Sequence, residues 1–107
     1  TWCVPCVAEM PALARLAAAT KGQRIAILPL SSDRGGAPAV ERYFAEKSIA
    51  GLPTLLDPKG TAARAFGARG IPTTILIDPQ GRERARLEGA AEWDDPAAIK
   101  ALQALAA

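Results

Sequence analysis

The chain has 107 residues, 50% of them hydrophobic and 22% charged, and its 13 Lys and Arg against 11 Asp and Glu give a net charge of +2. This composition predicts one small globular domain over residues 1–107, and so weak and dispersed a positive charge argues against nucleic acid as a partner. The chain contains no histidine, which excludes catalysis by Cys-His or Ser-His-Asp groups and the common zinc sites.

Predicted helices and strands alternate along the chain, except for two consecutive strands near its end that are joined tightly enough for a hairpin. In chain order they are a helix from residue 3 to about residue 20, a buried strand over 24–31, an amphipathic helix over 37–48, a strand over 52–56, a short helix over 61–66, strands over 73–77 and 82–88, and a helix over 96–106. This order predicts an α/β fold with a central mixed sheet, mostly parallel with one antiparallel edge, flanked by helices.

Two segments of the sequence resemble each other. Residues 51–60 and residues 70–81 each contain Gly-x-Pro-Thr, then apolar residues, then Asp-Pro-x-Gly. An internal duplication would produce this similarity. Two independent strands that each begin near a proline and end in an Asp-Pro-x-Gly turn would also produce it, and we favour this second explanation.

The two cysteines, Cys3 and Cys6, lie three positions apart at the head of the first predicted helix. Two thiols at this spacing in a first helical turn lie on the same side and can form a disulfide. Backbone N–H groups and the positive end of the helix dipole stabilise a thiolate on Cys3, which lowers its pKa and makes it the attacking sulfur. Cys6 is then the resolving thiol, and Pro5 presets a helical φ where no helical N–H is needed.

Two other interpretations of the cysteine pair are a zinc site and a purely structural disulfide. Zinc needs four ligands, and the chain has no further cysteine and no histidine. A disulfide across so short a loop removes little chain entropy. The pattern therefore favours a redox-active pair, Cys3 and Cys6, that works without a metal or an organic cofactor.

Three motifs together resemble the thioredoxin superfamily: Trp-Cys-Val-Pro-Cys at residues 2–6, Glu-Met-Pro at 9–11 and Gly-Ile-Pro-Thr-Thr at 70–74. Within it, the chain is most similar to the TlpA/ResA branch of bacterial extracytoplasmic thiol-disulfide oxidoreductases. An additional helix and strand between residues 37 and 56, and Gly-Ala-Ala-Glu-Trp at 89–93, look like the TlpA-like members. The resemblance covers essentially the whole chain and implies a thioredoxin fold with a TlpA-type helix-strand insertion.

The resemblance also implies a substrate-binding site beside the cysteines. Pro72 matches the family's cis-proline, which exposes the backbone of the preceding residue for a short β-like contact with the substrate. Pro53, in the similar segment 51–60, is the competing candidate, and we favour Pro72 because it leads the longer predicted strand and matches the family pattern. The residues implied to contact the substrate are Trp2, Pro5, Ile71, Pro72 and Thr73.

Glu9 and Trp2 each allow two interpretations. In ResA-like members a glutamate at the position of Glu9, three residues after Cys6, lies near the thiols. There a carboxylate raises the pKa of a cysteine and can carry a proton to or from the resolving thiol, which would make Glu9 catalytic. The alternative is a solvated glutamate in the first turn, stabilised by the helix dipole. Trp2 is either a lid beside the disulfide or a core aromatic.

The resemblance implies a periplasmic enzyme, anchored to the inner membrane, that reduces disulfides in protein substrates. The implied substrates are copper-site assembly proteins of a respiratory oxidase or apocytochrome c, and the implied electron source is a membrane thiol donor. In this superfamily a central strand precedes the Trp-Cys motif. We therefore expect that a further N-terminal segment, with this strand and the membrane anchor, is missing from these 107 residues.

Two functions of other classes remain open. A copper chaperone would bind Cu(I) through both thiolates, although the lack of histidine and of a Met-rich segment counts against it. A peroxidase of the related peroxiredoxin type would react through one cysteine of low pKa. Such an enzyme needs no adjacent partner, so the Cys-Val-Pro-Cys spacing argues against it.

Overall fold

The computed structural model describes residues 1–106, within which four helices and four short strands form. In chain order they are α1 (Val4–Ala19), β1 (Leu30–Ser31), α2 (Gly36–Glu46), β2 (Leu55–Leu56), α3 (Thr61–Ala65), β3 (Thr73–Ile77), β4 (Glu83–Glu88) and α4 (Pro96–Ala106). Helices and strands follow one another in the predicted order, and β3 and α4 have the predicted bounds. The β-branched run of β3 and the proline that opens α4 are strong local signals, which explains the agreement.

The strands form two separate ladders. β1 pairs with β2 in parallel, and β3 pairs with β4 antiparallel, with Thr73 opposite Glu88 at one end and an irregular register between Leu76 and Ile77. The predicted hairpin is therefore confirmed. The predicted single central sheet is not formed within residues 1–106, because no described strand lies between β1 and β3 to join the two ladders.

The prediction of a buried strand over residues 24–31 is wrong in length and in burial. The strand is limited to β1, and Leu28 and Leu30 are 65% and 52% exposed. Apolar strand residues become buried only where neighbouring strands and helices cover both faces. Among the strands of residues 1–106, β1 has a single partner, β2, so its apolar residues stay accessible. The predicted strand over 52–56 is likewise shortened to the two residues of β2.

Several of the buried residues lie on or beside α1 and α2. Ala12, Leu16 and Thr20 are buried on one side of α1, and Val40 is buried on α2. The Thr20 hydroxyl donates to the carbonyl oxygen of Leu16 at 2.8 Å, so this buried polar group has a partner. The helix that carries the cysteines is thus fixed at its C-terminal end by the core.

α1 continues through Pro11, which has no N–H to donate to the carbonyl oxygen of Val7 one turn earlier. The hydroxyl of Tyr43 on α2 donates to this oxygen at 3.4 Å. Burial raises the pKa of Tyr43 above its usual value of 10.0. A contact from α2 therefore replaces the helical hydrogen bond that Pro11 removes.

Candidate active site

Cys3 and Cys6 form a disulfide at the start of α1, with their Cα atoms 5.2 Å apart. Cys3 has an extended backbone and is the N-cap residue of the helix, and the backbone N–H of Cys6 points to the Cys3 Sγ at 3.3 Å. Pro5 lies in the first turn, where its missing N–H costs no hydrogen bond. The sulfur of Cys3 therefore lies at the positive end of the helix, where a thiolate is stabilised.

The exposure of the two cysteines favours the opposite assignment of the attacking sulfur. Cys3 is buried and Cys6 is half-buried. Access alone would thus favour Cys6 as the attacking sulfur, whereas the position at the helix N-terminus favours Cys3. The assignment of Cys3 as the nucleophile stays a prediction that rests on electrostatics.

The peptide bond between Ile71 and Pro72 is cis, and within residues 1–106 it is the one cis bond, so the bond before Pro53 is trans. The placement of the cis-proline at residue 72 is therefore confirmed. The carbonyl oxygen of Ile71 lies 3.9 Å from the Sγ of Cys3, and the Ile71 side chain is exposed. The cis-proline loop and the disulfide, 68 residues apart in sequence, thus meet in the structure.

A groove of about 190 Å³ runs beside Pro72, lined by residues 69–73 together with Glu88 and Gly89. At its rim the exposed guanidinium of Arg69 contacts the Glu88 carboxylate at 2.8 Å. The hydroxyl of Thr73 donates to the carbonyl oxygen of Gly70, so its proton is already used within the loop. Thr73 therefore shapes the loop, and its contact with substrate stays a prediction.

Glu9 is buried, with its Oε2 atom accepting hydrogen bonds from the backbone of Ala91 and from the indole of Trp93. The alternative of a solvated glutamate is therefore wrong. Sequence analysis missed the partnership with Trp93, although the pairing is chemically reasonable. An indole N–H is a donor only, so a buried tryptophan needs an acceptor such as a carboxylate.

Trp2 is exposed beside the disulfide, together with Val4 and Pro5, so the alternative of a core aromatic is wrong. These three residues give the surface next to the cysteines an apolar character. A role of Trp2 and Pro5 in contacting substrate is compatible with this exposure and stays a prediction.

Asp33 is a buried carboxylate that sequence analysis also missed. Its Oδ2 atom accepts a hydrogen bond from the hydroxyl of Ser31 at 2.6 Å, and its Oδ1 atom accepts one from the hydroxyl of Thr1. Burial raises the pKa of Asp33, whereas these hydrogen bonds and the ammonium group of Thr1 lower it, and the pKa lies below the usual 3.8. Asp33 thereby ties the end of β1 to the residue that precedes Trp2.

Within the described residues, no three His, Cys, Asp or Glu side chains lie close enough together to hold a metal ion. None of the helices over residues 1–106 is both long enough and apolar enough to cross a membrane.

A disulfide on the first turn of a helix, set against a cis-proline loop in an α/β fold, defines a protein of the thioredoxin class. Residues 1–85 match the model of the AhpC/TSA family. The chain belongs to the AhpC/TSA family.

Relatives and solved structures support the same class. The chain is 31% identical over 96 residues to the thiol-disulfide oxidoreductase ResA of Geobacillus thermodenitrificans, and 33% identical over 97 residues to that of Geobacillus kaustophilus. Each match covers 89% of this chain and 53% of the relative, so the chain spans about half the length of the curated relatives it matches.

Two solved structures are similar in fold. One is a putative thiol:disulfide interchange protein DsbE from Chlorobium tepidum, at 25% identity and a TM-score of 0.70, covering 97% of this chain and 70% of that one. The other is the exposed lipoprotein thioredoxin of Streptococcus pneumoniae, at 25% identity and a TM-score of 0.78, covering 98% and 78%. The predicted thioredoxin fold is therefore confirmed.

Proposed function

We propose that the protein is a thiol-disulfide oxidoreductase that works as a reductant. The observation that carries the proposal is the Cys3–Cys6 disulfide on the first turn of α1, with the carbonyl oxygen of Ile71 beside Cys3. The names of the relatives, thiol-disulfide oxidoreductase and thiol:disulfide interchange protein, support the same chemistry.

The reaction moves two electrons from the dithiol to a substrate disulfide. The Cys3 thiolate attacks one substrate sulfur, the substrate S–S bond breaks, and the other substrate sulfur leaves as a thiolate that takes up a proton. Cys6 then loses its proton and attacks Cys3 in the mixed disulfide, which releases the reduced substrate and forms the Cys3–Cys6 disulfide. A thiol donor returns two electrons, and the disulfide itself is the only redox group required.

The substrates in this proposal are proteins with disulfides at metal-binding cysteines, either copper-site assembly proteins or apocytochrome c. The donor is a membrane thiol protein, and the enzyme works in the periplasm while anchored to the inner membrane. The relative from Streptococcus pneumoniae, described as an exposed lipoprotein, supports a location at a membrane surface.

The test is to trap each step with single serine substitutions. The wild-type protein should reduce a protein disulfide, Cys6→Ser should accumulate a mixed disulfide with substrate, and Cys3→Ser should form none. Labelling of Cys6 before Cys3, when the reduced protein is alkylated at neutral pH, would reverse the two roles. Consumption of peroxide without any disulfide reduction would instead indicate a peroxidase, and tight binding of Cu(I) by the reduced pair would indicate a copper carrier.

The direction of electron flow is tested by the reduction potential of the Cys3–Cys6 pair in a glutathione titration. The exposed Trp2 beside the disulfide provides a fluorescence signal. A potential at or below about −200 mV supports a reductant, whereas a value near about −120 mV, typical of strong oxidants, would mean that the protein forms disulfides.

We also propose that Glu9 raises the pKa of the thiols by charge repulsion and exchanges a proton with Cys6. Its burial and its position one turn after Cys6 support this role. Glu9→Gln should therefore lower the pH at which the thiols titrate, measured by the rate of alkylation as a function of pH. Glu92→Gln, which changes an exposed carboxylate in the neighbouring segment, is the control. A thiol titration that is the same in wild type and Glu9→Gln would reject the role.

A further inference from the structure

One carboxylate oxygen of Glu9 joins α1 to the segment that follows β4. Its Oε2 atom accepts hydrogen bonds from the indole Nε1 of Trp93 at 3.0 Å and from the backbone nitrogen of Ala91 at 3.1 Å. Glu9 is 6% exposed and Trp93 is 8% exposed. A buried carboxylate and a buried indole N–H are each costly without a partner, so these contacts hold the segment against the helix.

The same segment holds the backbone of the cis-proline loop. Gly89, directly after β4, donates its N–H to the carbonyl oxygen of Pro72 at 2.8 Å and has a φ of +100°, which favours glycine. The carbonyl oxygen before Pro72 lies 3.9 Å from the Sγ of Cys3. Cys3 caps α1, and Glu9 lies about 9 Å further along the same helix. The contacts thus close a ring from Cys3 along α1 to Glu9, through residues 89–93 to Pro72, and back to Cys3.

Within residues 1–106, one further hydrogen-bonded contact joins α1 to this part of the chain. The guanidinium of Arg15 contacts the Asp94 carboxylate at 2.7 Å, with the Arg15 side chain largely in solvent. Exposed ion pairs contribute little to stability because water and salt screen them. Of the contacts between α1 and residues 89–94, those of Glu9 are therefore the ones expected to hold this segment in place.

We propose that Trp93, through its hydrogen bond to Glu9, is a positioning residue that holds the Ile71–Pro72 backbone at the correct distance from Cys3 for an extended substrate. This inference rests on the proposed function as a disulfide reductase. A substrate that pairs with this backbone gains from the fixed geometry, because its disulfide then arrives aligned with the Cys3 sulfur. A small disulfide without a peptide backbone has no such contact and gains nothing from the ring.

The experiment compares two substrates in each variant of the purified protein. One is an extended peptide whose single cysteine carries glutathione in a mixed disulfide, and the other is hydroxyethyl disulfide. The measured quantity is the preference, the ratio of kcat/KM for the peptide to that for hydroxyethyl disulfide. Trp93→Phe should lower this preference about tenfold, mainly through a higher KM for the peptide.

One control variant sharpens the result. Arg15→Ala removes the exposed contact to the same segment and should leave the preference within about twofold. A role of Trp93 in stability alone would change both substrates equally and leave the preference unchanged.

Each outcome decides one question. A wild-type protein that reduces neither substrate would refute the proposed function. A wild-type protein that reduces both, with an unchanged preference in folded Trp93→Phe, would refute the positioning role. If Trp93→Phe does not fold by circular dichroism, Gly89→Ala replaces it, because a methyl group there meets no atom within 4 Å but strains the link to Pro72. A preference retained in Gly89→Ala would equally overturn the inference.

Discussion

Two segments with nearly the same sequence pattern, residues 51–60 and 70–81, have different structures and positions. The proline in the second segment, Pro72, follows a cis bond beside Cys3, and the strand after it pairs with β4 over five residues. The proline in the first, Pro53, follows a trans bond, and only the two residues of β2 pair, with β1. The shared Gly-x-Pro-Thr pattern therefore fixes neither the proline isomer nor the strand length, which depend on the elements packed nearby.

The Asp-Pro-x-Gly turns that end the segments are locally alike. In each, the glycine N–H donates to the aspartate carbonyl oxygen, at 3.0 Å for Gly60 and 2.9 Å for Gly81, and each glycine has a positive φ. The aspartate side chains differ. Asp57 accepts from two backbone N–H groups at the start of α3, whereas Asp78 is buried in the turn that leads into β4. The local sequence determines the turn, whereas the element that follows determines which groups the carboxylate accepts hydrogen bonds from.

The largest expected effect comes from placing a carboxylate at the same position of segments 51–60 and 70–81, directly before the proline. Ile71→Glu brings a negative charge next to the cis-proline and Cys3, which should lower the thiolate fraction of Cys3 at pH 7 about tenfold. Leu52→Glu changes the matching residue of the other segment and should have an effect of less than about twofold. The rate of alkylation of the reduced protein measures both. Equal slowing in the two variants would show that segment 70–81 has no special relation to Cys3.

The second test compares the two turns in stability. Asp78→Ala removes a buried carboxylate that accepts hydrogen bonds from the backbone N–H groups of Gln80 and Arg82, which should cost about 2 kcal/mol. Asp57→Ala removes a half-buried acceptor from the backbone N–H groups of Ala62 and Ala63, and we expect a smaller loss because Asp57 is less buried than Asp78. Urea unfolding of both variants measures the difference. A larger loss for Asp57→Ala would contradict the assignment of Asp78 as the buried anchor of the hairpin.

The chemistry of the site could be predicted because it is carried by short motifs. Cys3 and Cys6 lie within one helical turn, and their pairing follows from helix geometry. The choice of Pro72 over Pro53 rested on the longer predicted strand that follows Pro72 and on the family pattern. The existence and order of the elements followed from periodicity and turn residues, of which β3 is the clearest case.

The missed features depend on distant parts of the chain. The contact between Glu9 and Trp93 joins residues 84 positions apart, and no local pattern indicates that a carboxylate and an indole will meet. The exposure of Leu28 and Leu30 depends on which strands lie beside β1, which an apolar run alone does not specify. Local sequence therefore predicted the reacting groups, whereas the contacts that position them required the tertiary structure.

The smallest predicted effect is the change with pH in the contribution of Asp57 to the stability of the fold. Hydrogen bonds from the backbone N–H groups of Ala62 and Ala63 hold the pKa of Asp57 below its usual 3.8 in the folded protein. A lowered folded pKa means that the ionised carboxylate stabilises the fold fully above pH 3.8, and that this contribution is lost as the pH falls through the folded pKa.

The stability difference between wild type and Asp57→Asn should therefore be constant from pH 7 to about pH 5 and shrink as the pH falls towards about 2. Thermal unfolding midpoints, which should differ by a few degrees at neutral pH, measure this difference. Pro58→Ala alters the same turn without a titratable group, so its difference from wild type should not depend on pH. A difference for Asp57→Asn that is the same at pH 7 and pH 2 would mean that the carboxylate charge plays no part in holding α3.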